Sequence, residues 1–377
     1  MQYSHDSRVY IERINEYDVG LIADMLRRSL GDISAMRDRR VVIKPNLVMK
    51  KSPSEAATTE PAVLEAVLRV LNENGISPVI AESPGGIYSA QRLENIYRGC
   101  GIREVADRYD CTLNFDVSSV KIGKFDIIKP IADAEVIFDL CRLKGHSMTK
   151  MSAAVKNMFG SVPGIVKFEL HASHPRYDDF ASMICDLCDL LMQGRRIIAV
   201  TDAVVAMEGE GPTGGDPRKI GFMSVSDSPF SADIVSAYII GYEKDEVPMM
   251  RIASERGYVP ADHNDIETVG IPAEEFYTPD FKKPCAAMAN VKVLKFFSGG
   301  AIGAFFSAKP IITDKCRACG ECAASCPQHT ITIDKKRRRA VIGRDNCIRC
   351  FCCQELCPFK AIAVSRNPII SLIKSIK

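Results

Sequence analysis

The chain has 377 residues, a formal net charge of +2 and a hydrophobic fraction of 46%. This is an ordinary globular composition with ample apolar material for a core, and it excludes a disordered or fibrous chain. No apolar run is long enough to span a bilayer, and the first residues are polar without a signal-peptide core. We therefore expect a cytoplasmic protein.

Residues 1–300 alternate short β-branched runs with helical patterns, which predicts an α/β region of open, mostly parallel sheets. Its length allows one large or two medium domains, and a boundary between two lobes is predicted near residue 195 or beyond. A helix is predicted from Pro61, with Thr59 as its N-cap and Gly75 at its end. Residues 227–229 form a predicted strand-to-helix turn with a cap. Buried strands are predicted at residues 40–43, 78–81, 134–140 and 196–200. Ligands of open α/β sheets bind at the carboxyl ends of such strands, so we expect the chemistry there.

The densest group of candidate residues follows the third of these strands. The strand end presents Lys144 and His146, and a helix is predicted to begin near Ser147 or Thr149 with Lys156 and Asn157 about two turns along it. Free N–H groups at a helix start, beside a lysine and a histidine, favour an anion such as phosphate or carboxylate. Taken singly, the two side chains would be an ordinary surface lysine and a hydrogen-bonded loop histidine.

A second candidate loop, residues 202–216, is acidic and rich in glycine. Its glycines would let the backbone approach a ligand, and Asp202 or Glu208 could accept a substrate hydroxyl, transfer a proton or hold a cation. A flexible acidic loop is the alternative. The chain has neither a Walker motif nor a G-x-G-x-x-G after a strand, so a dinucleotide site is not expected. A flavin mononucleotide or another organic cofactor remains compatible with the anion site.

Two further pairs, one of histidines and one of cysteines, are of residue types that bind metals, but structural roles are predicted for them. His171 and His174 are predicted in a loop, from which His171 could reach the same cleft as His146. Cys185 and Cys188 lie in a helical apolar pattern and are predicted to pack in the core.

Two cysteine runs near the C-terminus are the most specific signal in the chain. Each has the spacing C-x-x-C-x-x-C-x-x-x-C-P, beginning at Cys316 and at Cys347. This doubled pattern resembles bacterial-type two-cluster ferredoxins. Structural zinc uses cysteine pairs with a longer gap, and disulfide frameworks belong to secreted chains, so both alternatives are disfavoured.

The ferredoxin resemblance implies two [4Fe-4S] clusters, in which the fourth cysteine of each run crosses to the other cluster. It implies a small α+β domain over residues 311–366, after a connector at 301–310 and before a tail at 367–377. Cys352 is a spare thiol, interpreted as a bystander. The implied ligands are Cys316, Cys319, Cys322 and Cys357 for one cluster, and Cys347, Cys350, Cys353 and Cys326 for the other.

Charge is distributed unevenly between the two regions. From residue 311 onward there are 13 basic and 5 acidic side chains, and the run Lys335–Arg339 is predicted at the tip of a β-hairpin. We expect this hairpin to be a solvated turn or to dock an acidic electron donor such as a ferredoxin or flavodoxin. The chain lacks the basic surface and interleaved aromatic residues that nucleic acid requires. Membrane contact through the apolar residues 296–306 and the tail is the lesser alternative.

The stretches VVIKPNLV, LKGHSMTKMSAAVKNMFG and TDAVVAMEGEGPTGG together resemble the domain-of-unknown-function family numbered 362. The resemblance covers residues from about 40 to 300. It implies two α/β lobes in an iron–sulfur redox context, joined to a two-cluster ferredoxin module, and it implies no substrate. The matching positions are Lys44, Asn46, Lys144, His146, Thr149, Lys156, Asn157, Glu208 and Gly209.

These observations favour an iron–sulfur oxidoreductase that reduces an anionic or carbonyl-bearing small molecule in the α/β cleft. Lys144 and His146 would bind and protonate it, with Glu208 or Asp202 as a second acid/base group. Lys44, Asn46, Thr149, Lys156, Asn157 and Gly209 would bind the ligand or an organic cofactor. The alternative is a non-catalytic electron carrier whose large region docks a partner enzyme.

Overall fold

The computed structural model describes residues 6–284 and 309–365. The predicted tail at 367–377, and all of the predicted connector at 301–310 except Lys309 and Pro310, lie outside the described residues. The apolar stretch 296–306 also lies outside them.

A nine-stranded sheet forms the centre of the large region, in the order β11-β1-β10-β9-β7-β2-β3-β4, with β8 paired to β7. Its strands are β1 (Val9–Arg13), β2 (Val41–Pro45), β3 (Val79–Ile80), β4 (Thr112–Leu113), β7 (Val136–His146), β8 (Lys150–Ser152), β9 (Arg196–Glu208), β10 (Asp216–Ser226) and β11 (Thr268–Gly270). A separate hairpin joins β5 (Ser119–Ile122) to β6 (Phe125–Ile128).

The sheet is mixed and mostly parallel, as the sequence predicts. Parallel pairs join β3 to β4, β2 to β3 and β7, β7 to β9, and β1 to β11. Antiparallel pairs join β10 to β1 and to β9. Because β9 begins at Arg196 and pairs along β7, the predicted lobe division near residue 195 is not a break in the sheet. One sheet runs through both predicted lobes.

Helices cover both faces of the sheet and give it two apolar cores. One core packs α1, α2, α3 and α4, and the other packs α6, α8, α9 and α10. The helices are α1 (Val19–Leu30), α2 (Pro61–Glu73), α3 (Ala90–Gly99), α4 (Ile102–Arg108), α5 (Lys129–Asp133), α6 (Ala154–Asn157), α7 (Gly164–Ser173), α8 (Tyr177–Met192), α9 (Pro229–Ile239) and α10 (Pro248–Glu255). Short 3₁₀ turns occupy Ser34–Met36, Pro53–Glu55, Met158–Ser161, His263–Asp265 and Ala273–Phe276.

The predicted helix from Pro61 is present, but its N-cap residue is Glu60. Thr59 instead joins two strand ends, because its hydroxyl donates to the carbonyl of Leu140 at 2.6 Å and accepts from the N–H of Asn46 at 2.7 Å. At the other predicted cap, Ser228 accepts from the N–H of Ser231 and begins α9, as expected.

Two segments predicted as ligand-binding loops are antiparallel hairpins. β7 continues to His146 and turns directly into β8, so no helix begins at Ser147 or Thr149. β9 continues to Glu208 and pairs with β10, so Asp202 lies within a strand. The sequence predicts a short strand followed by a loop in both places. The prediction fails because each strand extends beyond the parallel part of the sheet and pairs with the segment that follows it in the chain.

The C-terminal region is a small α+β domain, as predicted. β12 (Lys309–Ile312) pairs with β15 (Ile362–Ser365), and β13 (Ile331–Asp334) pairs with β14 (Arg339–Ile342). The short helices are α11 (Glu321–Ala324) and α12 (Cys352–Glu355). The basic run lies at the turn between β13 and β14, which confirms the predicted hairpin.

The backbone of this domain repeats with the cysteine pattern. Left-handed residues occur at matching places in the two runs: Ala318 and Arg349, Gly320 and Phe351, and His329 and Lys360. The repeat departs at Phe351, which stands where the first run has glycine. Its side chain is only 1% exposed and packs in the core of the large region. Phe351 therefore anchors the C-terminal domain on the sheet region.

Candidate functional site

A small cleft lies at the carboxyl ends of β2, β3 and β7, where the sequence predicts ligand binding. Asn46 follows β2, Glu82 follows β3, and His146 ends β7. The wall opposite these strand ends comes from α12 and the residue after it. The lining also includes Leu47, Ser83, Lys156, Asn157, Phe159, Lys167, Phe168, His171, Cys352, Glu355 and Leu356.

Lysine amines are concentrated in and behind this cleft. Lys44 is fully buried and pairs with Glu82, with 2.5 Å between Nζ and Oε2. Lys167 donates to the carbonyl of Ser83. The amine of Lys156 lies 4.7 Å from the ring centroid of Phe159. Gly160 leaves room for the Lys44–Glu82 pair, since a Cβ at this position would overlap the Glu82 carboxylate.

Burial makes three of the lysines in this region easier to deprotonate than a lysine in water. It lowers the pKa of Lys144 and that of Lys167 to about 7, and it also lowers the pKa of Lys156. An anion in the cleft would offset the cost of holding these charges away from water.

A chain of hydrogen bonds runs beneath the cleft through four residues, three of them in or after the strands β2 and β7 and one in α6. Lys144 Nζ donates to Asn46 Oδ1 at 2.5 Å, and Asn46 Nδ2 donates to Asn157 Oδ1 at 2.7 Å. Asn157 Nδ2 then donates to Asp139 Oδ1 at 2.6 Å. Burial raises the pKa of Asp139 to about 7. Asn46 and Asn157 line the cleft, so the chain fixes their orientation toward a ligand.

The two cleft histidines are held in opposite tautomers. Nδ1 of His146 accepts from the backbone N–H groups of Met148 and Thr149, at 3.2 and 3.3 Å, which places the proton of the neutral ring on Nε2. His171 instead has Nδ1 2.7 Å from the carbonyl oxygen of Lys167, so its Nε2 is unprotonated. Burial lowers the pKa of both rings, that of His171 to about 3, so both are neutral. Among the described residues neither Nε2 has a hydrogen-bond partner of good geometry, although Oε1 of Glu355 lies 3.3 Å from that of His146.

The prediction of an anion site at the start of a helix is wrong. α6 has only four residues, and its first N–H groups are already occupied, because Ala154 N and Val155 N donate to the carboxylate of Asp233 at 2.7 and 3.1 Å. Thr149 has a structural contact as well, since its hydroxyl donates to the carbonyl of Met151. The cations of the cleft are side chains on strand ends and helices.

Six of the ten predicted site residues do not line the cleft: Lys44, Lys144, Thr149, Asp202, Glu208 and Gly209. The first three make the contacts given above, and the last three make contacts elsewhere. Asp202 accepts from the hydroxyl of Tyr17 at 3.0 Å and lies 3.6 Å from Arg142, in a separate buried cluster. Glu208 accepts from the N–H of Lys282 and pairs with its amine at 3.1 Å. Gly209 has a φ of +77°, and a Cβ on Gly145 would lie 2.6 Å from its carbonyl oxygen. The glycines thus let backbone approach backbone.

The structure also gives positions for residues outside the predicted site. His171 lies in α7 and lines the cleft, so its predicted reach is correct although its predicted loop is a helix. Cys352 is 2% exposed and lines the cleft, although the sequence gives it no role. Glu355 was not among the candidates, yet its Oε1 lies 3.3 Å from Nε2 of His146. Cys185 and Cys188 pack inside α8 as predicted.

Four cysteines of the C-terminal domain surround one cavity in the combination that the ferredoxin pattern implies. Cys316, Cys319, Cys322 and Cys357 line one cavity of about 320 Å³, which brings three residues of the first run together with the last of the second. Backbone N–H groups of Ala340, Thr330 and Ala361 donate to the sulfurs of Cys316, Cys326 and Cys357 at 3.2–3.4 Å. Such donors stabilise thiolate ligands, so the residues present fit an iron–sulfur cluster.

The two domains contact each other beside the cleft. Ser147 donates to the side-chain carbonyl of Gln354, and the amide of Gln354 donates to the carbonyl of Glu210. Thr213 donates to the carbonyl of Glu355 at 2.7 Å.

In the part of the chain that the structure describes, no helix combines the length and apolar character needed to cross a bilayer.

Fold and site together define an α/β protein that carries a ferredoxin-type iron–sulfur domain. The chain matches the family described as "Domain of unknown function (DUF362)" over residues 41–238, more than half its length, and it belongs to that family. Residues 315–361 match a 4Fe-4S dicluster domain, which indicates iron–sulfur electron transfer. The chain is also similar to a thylakoid-associated protein of Synechocystis sp. (strain PCC 6803), with 26% identity over 264 residues that cover 67% of this chain and 80% of that protein. The predicted family is confirmed, and the predicted cytoplasmic location stays a prediction.

Proposed function

We propose that this protein is an iron–sulfur reductase that acts on an anionic or carbonyl-bearing small molecule bound in the cleft. The observation that carries the proposal is the position of α12. Cys352 and Glu355, at its two ends, line the cleft, and Cys353 between them is an implied cluster ligand. A molecule in the cleft would therefore lie beside the segment that holds a cluster.

Two [4Fe-4S] clusters, held by the eight cysteines of the doubled pattern, would supply single electrons. Side chains of the large region would bind and orient the molecule that is reduced. Lys156 and Lys167 would bind the anionic group, and the apolar residues Leu47, Phe159 and Phe168 would contact the rest of the molecule.

The histidine tautomers select the hydrogen-bonding pattern of the ligand. Nε2–H of His146 would donate to a carbonyl or carboxylate oxygen, whereas Nε2 of His171 would accept from a hydroxyl or N–H group. Lys144 does not line the cleft, so it would act through Asn46 as a positioning residue. Asp202 and Glu208 have no part in this proposal, because their side chains lie elsewhere.

Anaerobic native mass spectrometry of the freshly purified protein, followed by a reoxidation assay, tests this function. Eight irons with an additional small-molecule mass would support an enzyme and would also reveal a flavin or other organic cofactor. The reduced protein is then mixed with 2-oxo acids and unsaturated carboxylates, and reoxidation of the clusters is followed by absorbance.

We expect at least one of these compounds to reoxidise the wild-type protein and to act at least about tenfold more slowly on Lys156→Gln. Lys244→Gln is the matched control, since Lys244 is exposed on a turn and does not line the cleft. If no compound of either class reoxidises the clusters while an oxidised carrier protein does, the proposal is wrong and the electron-carrier alternative replaces it.

A further inference from the structure

A second concave surface lies on the C-terminal domain and shares no lining residue with the cleft. It is a groove of about 1240 Å³, formed mainly by β12, β14 and the chain after β14. Of the described residues that line it, five are cationic and none is anionic. The cations are Lys309, Arg337, Arg339, Arg344 and Arg349.

The groove combines this charge with apolar contact area and a cluster ligand. Ile311 and Val341 line it and are 44% and 42% exposed. Cys347, an implied ligand of the second cluster, also lines it and is half-buried. A molecule seated in the groove would therefore contact the cluster-binding loop directly.

We propose that this groove docks a small acidic electron-carrier protein, which passes electrons to the cluster held by Cys347. In each transfer one electron leaves the reduced carrier and enters the oxidised cluster, with no bond formed or broken and no proton moved. The proposal concerns how electrons arrive, so it holds whatever the cleft binds. Because groove and cleft share no residue, both can be occupied together.

The chemistry of the lining favours an acidic protein over other anionic partners. A cationic rim around exposed aliphatic side chains is complementary to a carrier with carboxylates around its own redox centre. No Phe, Tyr or Trp is among the described lining residues, so the groove lacks the stacking platforms that single-stranded nucleic acid uses. A bilayer surface is flat and would not fill a concave groove.

The test compares charge reversals inside and beside the groove in the full-length protein with both clusters in place. Arg337→Glu/Arg344→Glu changes two exposed lining residues. Lys335→Glu/Lys336→Glu makes the same change in net charge at the hairpin tip, outside the lining. Reduction by an acidic plant-type ferredoxin is followed by stopped flow at several salt concentrations. Binding of the same ferredoxin with gallium in place of iron gives a dissociation constant without electron transfer.

We expect the groove variant to lose about tenfold or more in both rate and affinity at low salt, and the tip variant to lose clearly less. Iron content and reduction by dithionite should be unchanged in both. Equal losses in the two variants, or no loss in either, would overturn the proposal. Loss of binding to phosphatidylglycerol vesicles with an unchanged ferredoxin rate would also overturn it and would identify a lipid surface.

Discussion

The amine of Lys156 lies over the ring of Phe159 and has no hydrogen-bond partner among the described residues. A cation–π contact contributes only about 0.5–2 kcal/mol, which is less than the hydration that a buried ammonium loses. Lys44 and Lys167 differ, because each amine donates to a protein oxygen. The carboxylate of Glu355, which also lines the cleft, favours the charged form of Lys156, and this half-buried amine can take an anionic ligand as a direct partner.

Replacing this amine gives the first prediction. Lys156→Gln should weaken sulfate binding by about 10- to 100-fold, the range expected for losing a charge-assisted hydrogen bond. Isothermal titration calorimetry on the cluster-loaded protein measures it, with Lys244→Gln as the control. Unchanged affinity in Lys156→Gln would show that the anion is held elsewhere.

Lys167 gives a second prediction, which concerns the protons taken up when sulfate binds. Because its folded pKa is lowered to about 7, its amine is mostly neutral at pH 8. A bound anion favours the charged form and raises this pKa, so sulfate binding should take up protons above pH 7 and weaken as the pH rises. The charged or titratable groups that face this amine are Glu82, Lys44, Lys156 and Glu355.

Calorimetry in two buffers of different ionisation enthalpy measures this uptake. Lys167→Arg should keep sulfate binding but take up fewer protons, since a guanidinium stays charged throughout this range. Identical proton uptake in Lys167→Arg and wild type would assign the uptake to another group.

At the scale of the elements, Phe351 replaces the glycine of the repeated loop and joins the two domains. It has a φ of +59°, which costs a non-glycine residue about 1–3 kcal/mol, so packing must hold it there. Phe351→Ala should destabilise the protein by about 3–5 kcal/mol, as for other buried phenylalanines. Urea unfolding of the anaerobic protein checks this value.

The same variant should increase hydrogen exchange in α12 while the iron content stays at the wild-type level. Phe359→Ala is the matched control, because Phe359 is 44% exposed on the same domain. Equal effects of the two substitutions would show that Phe351 does not anchor the domain.

Sequence reasoning finds the elements and residues that local patterns encode. Lys44, Asn46, Lys144 and His146 are recognisable because they lie at or just after predicted strands. Lys156 and Asn157 are recognisable as polar residues of the helix predicted to follow, and the cysteine spacing predicts the C-terminal domain. Glu82 and Lys167 carry no local signal, since their role depends on contact with segments distant in the chain. The sequence places Asp202 and Glu208 in a loop because the predicted strand ends at residue 200. In the structure β9 continues to Glu208.

For the whole molecule, the two domains have cores of very different size. Among the described residues the C-terminal core has seven buried members, three of which are the implied ligands Cys322, Cys353 and Cys357. So small a core depends on its metal for stability, whereas the large region packs two cores of its own.

Removal of iron should therefore unfold the C-terminal domain and leave the sheet region folded. Hydrogen exchange after oxidation and chelation should show loss of protection in Ile331–Asp334 and Arg339–Ile342, with protection retained in Val136–His146. Restoring iron and sulfide should reverse the change. Simultaneous loss of protection in both regions would show that the protein unfolds as one unit.

The cleft takes one side from each domain, and this arrangement links ligand affinity to maturation of the protein. A chain that has not yet received its iron, or has lost it to oxygen, would lack the side formed by Cys352, Glu355 and Leu356. Such a chain would present the lysines without the enclosure that excludes water. Under the proposed function, the site would be complete only in molecules that can also deliver electrons, so protein without its clusters would not sequester the ligand.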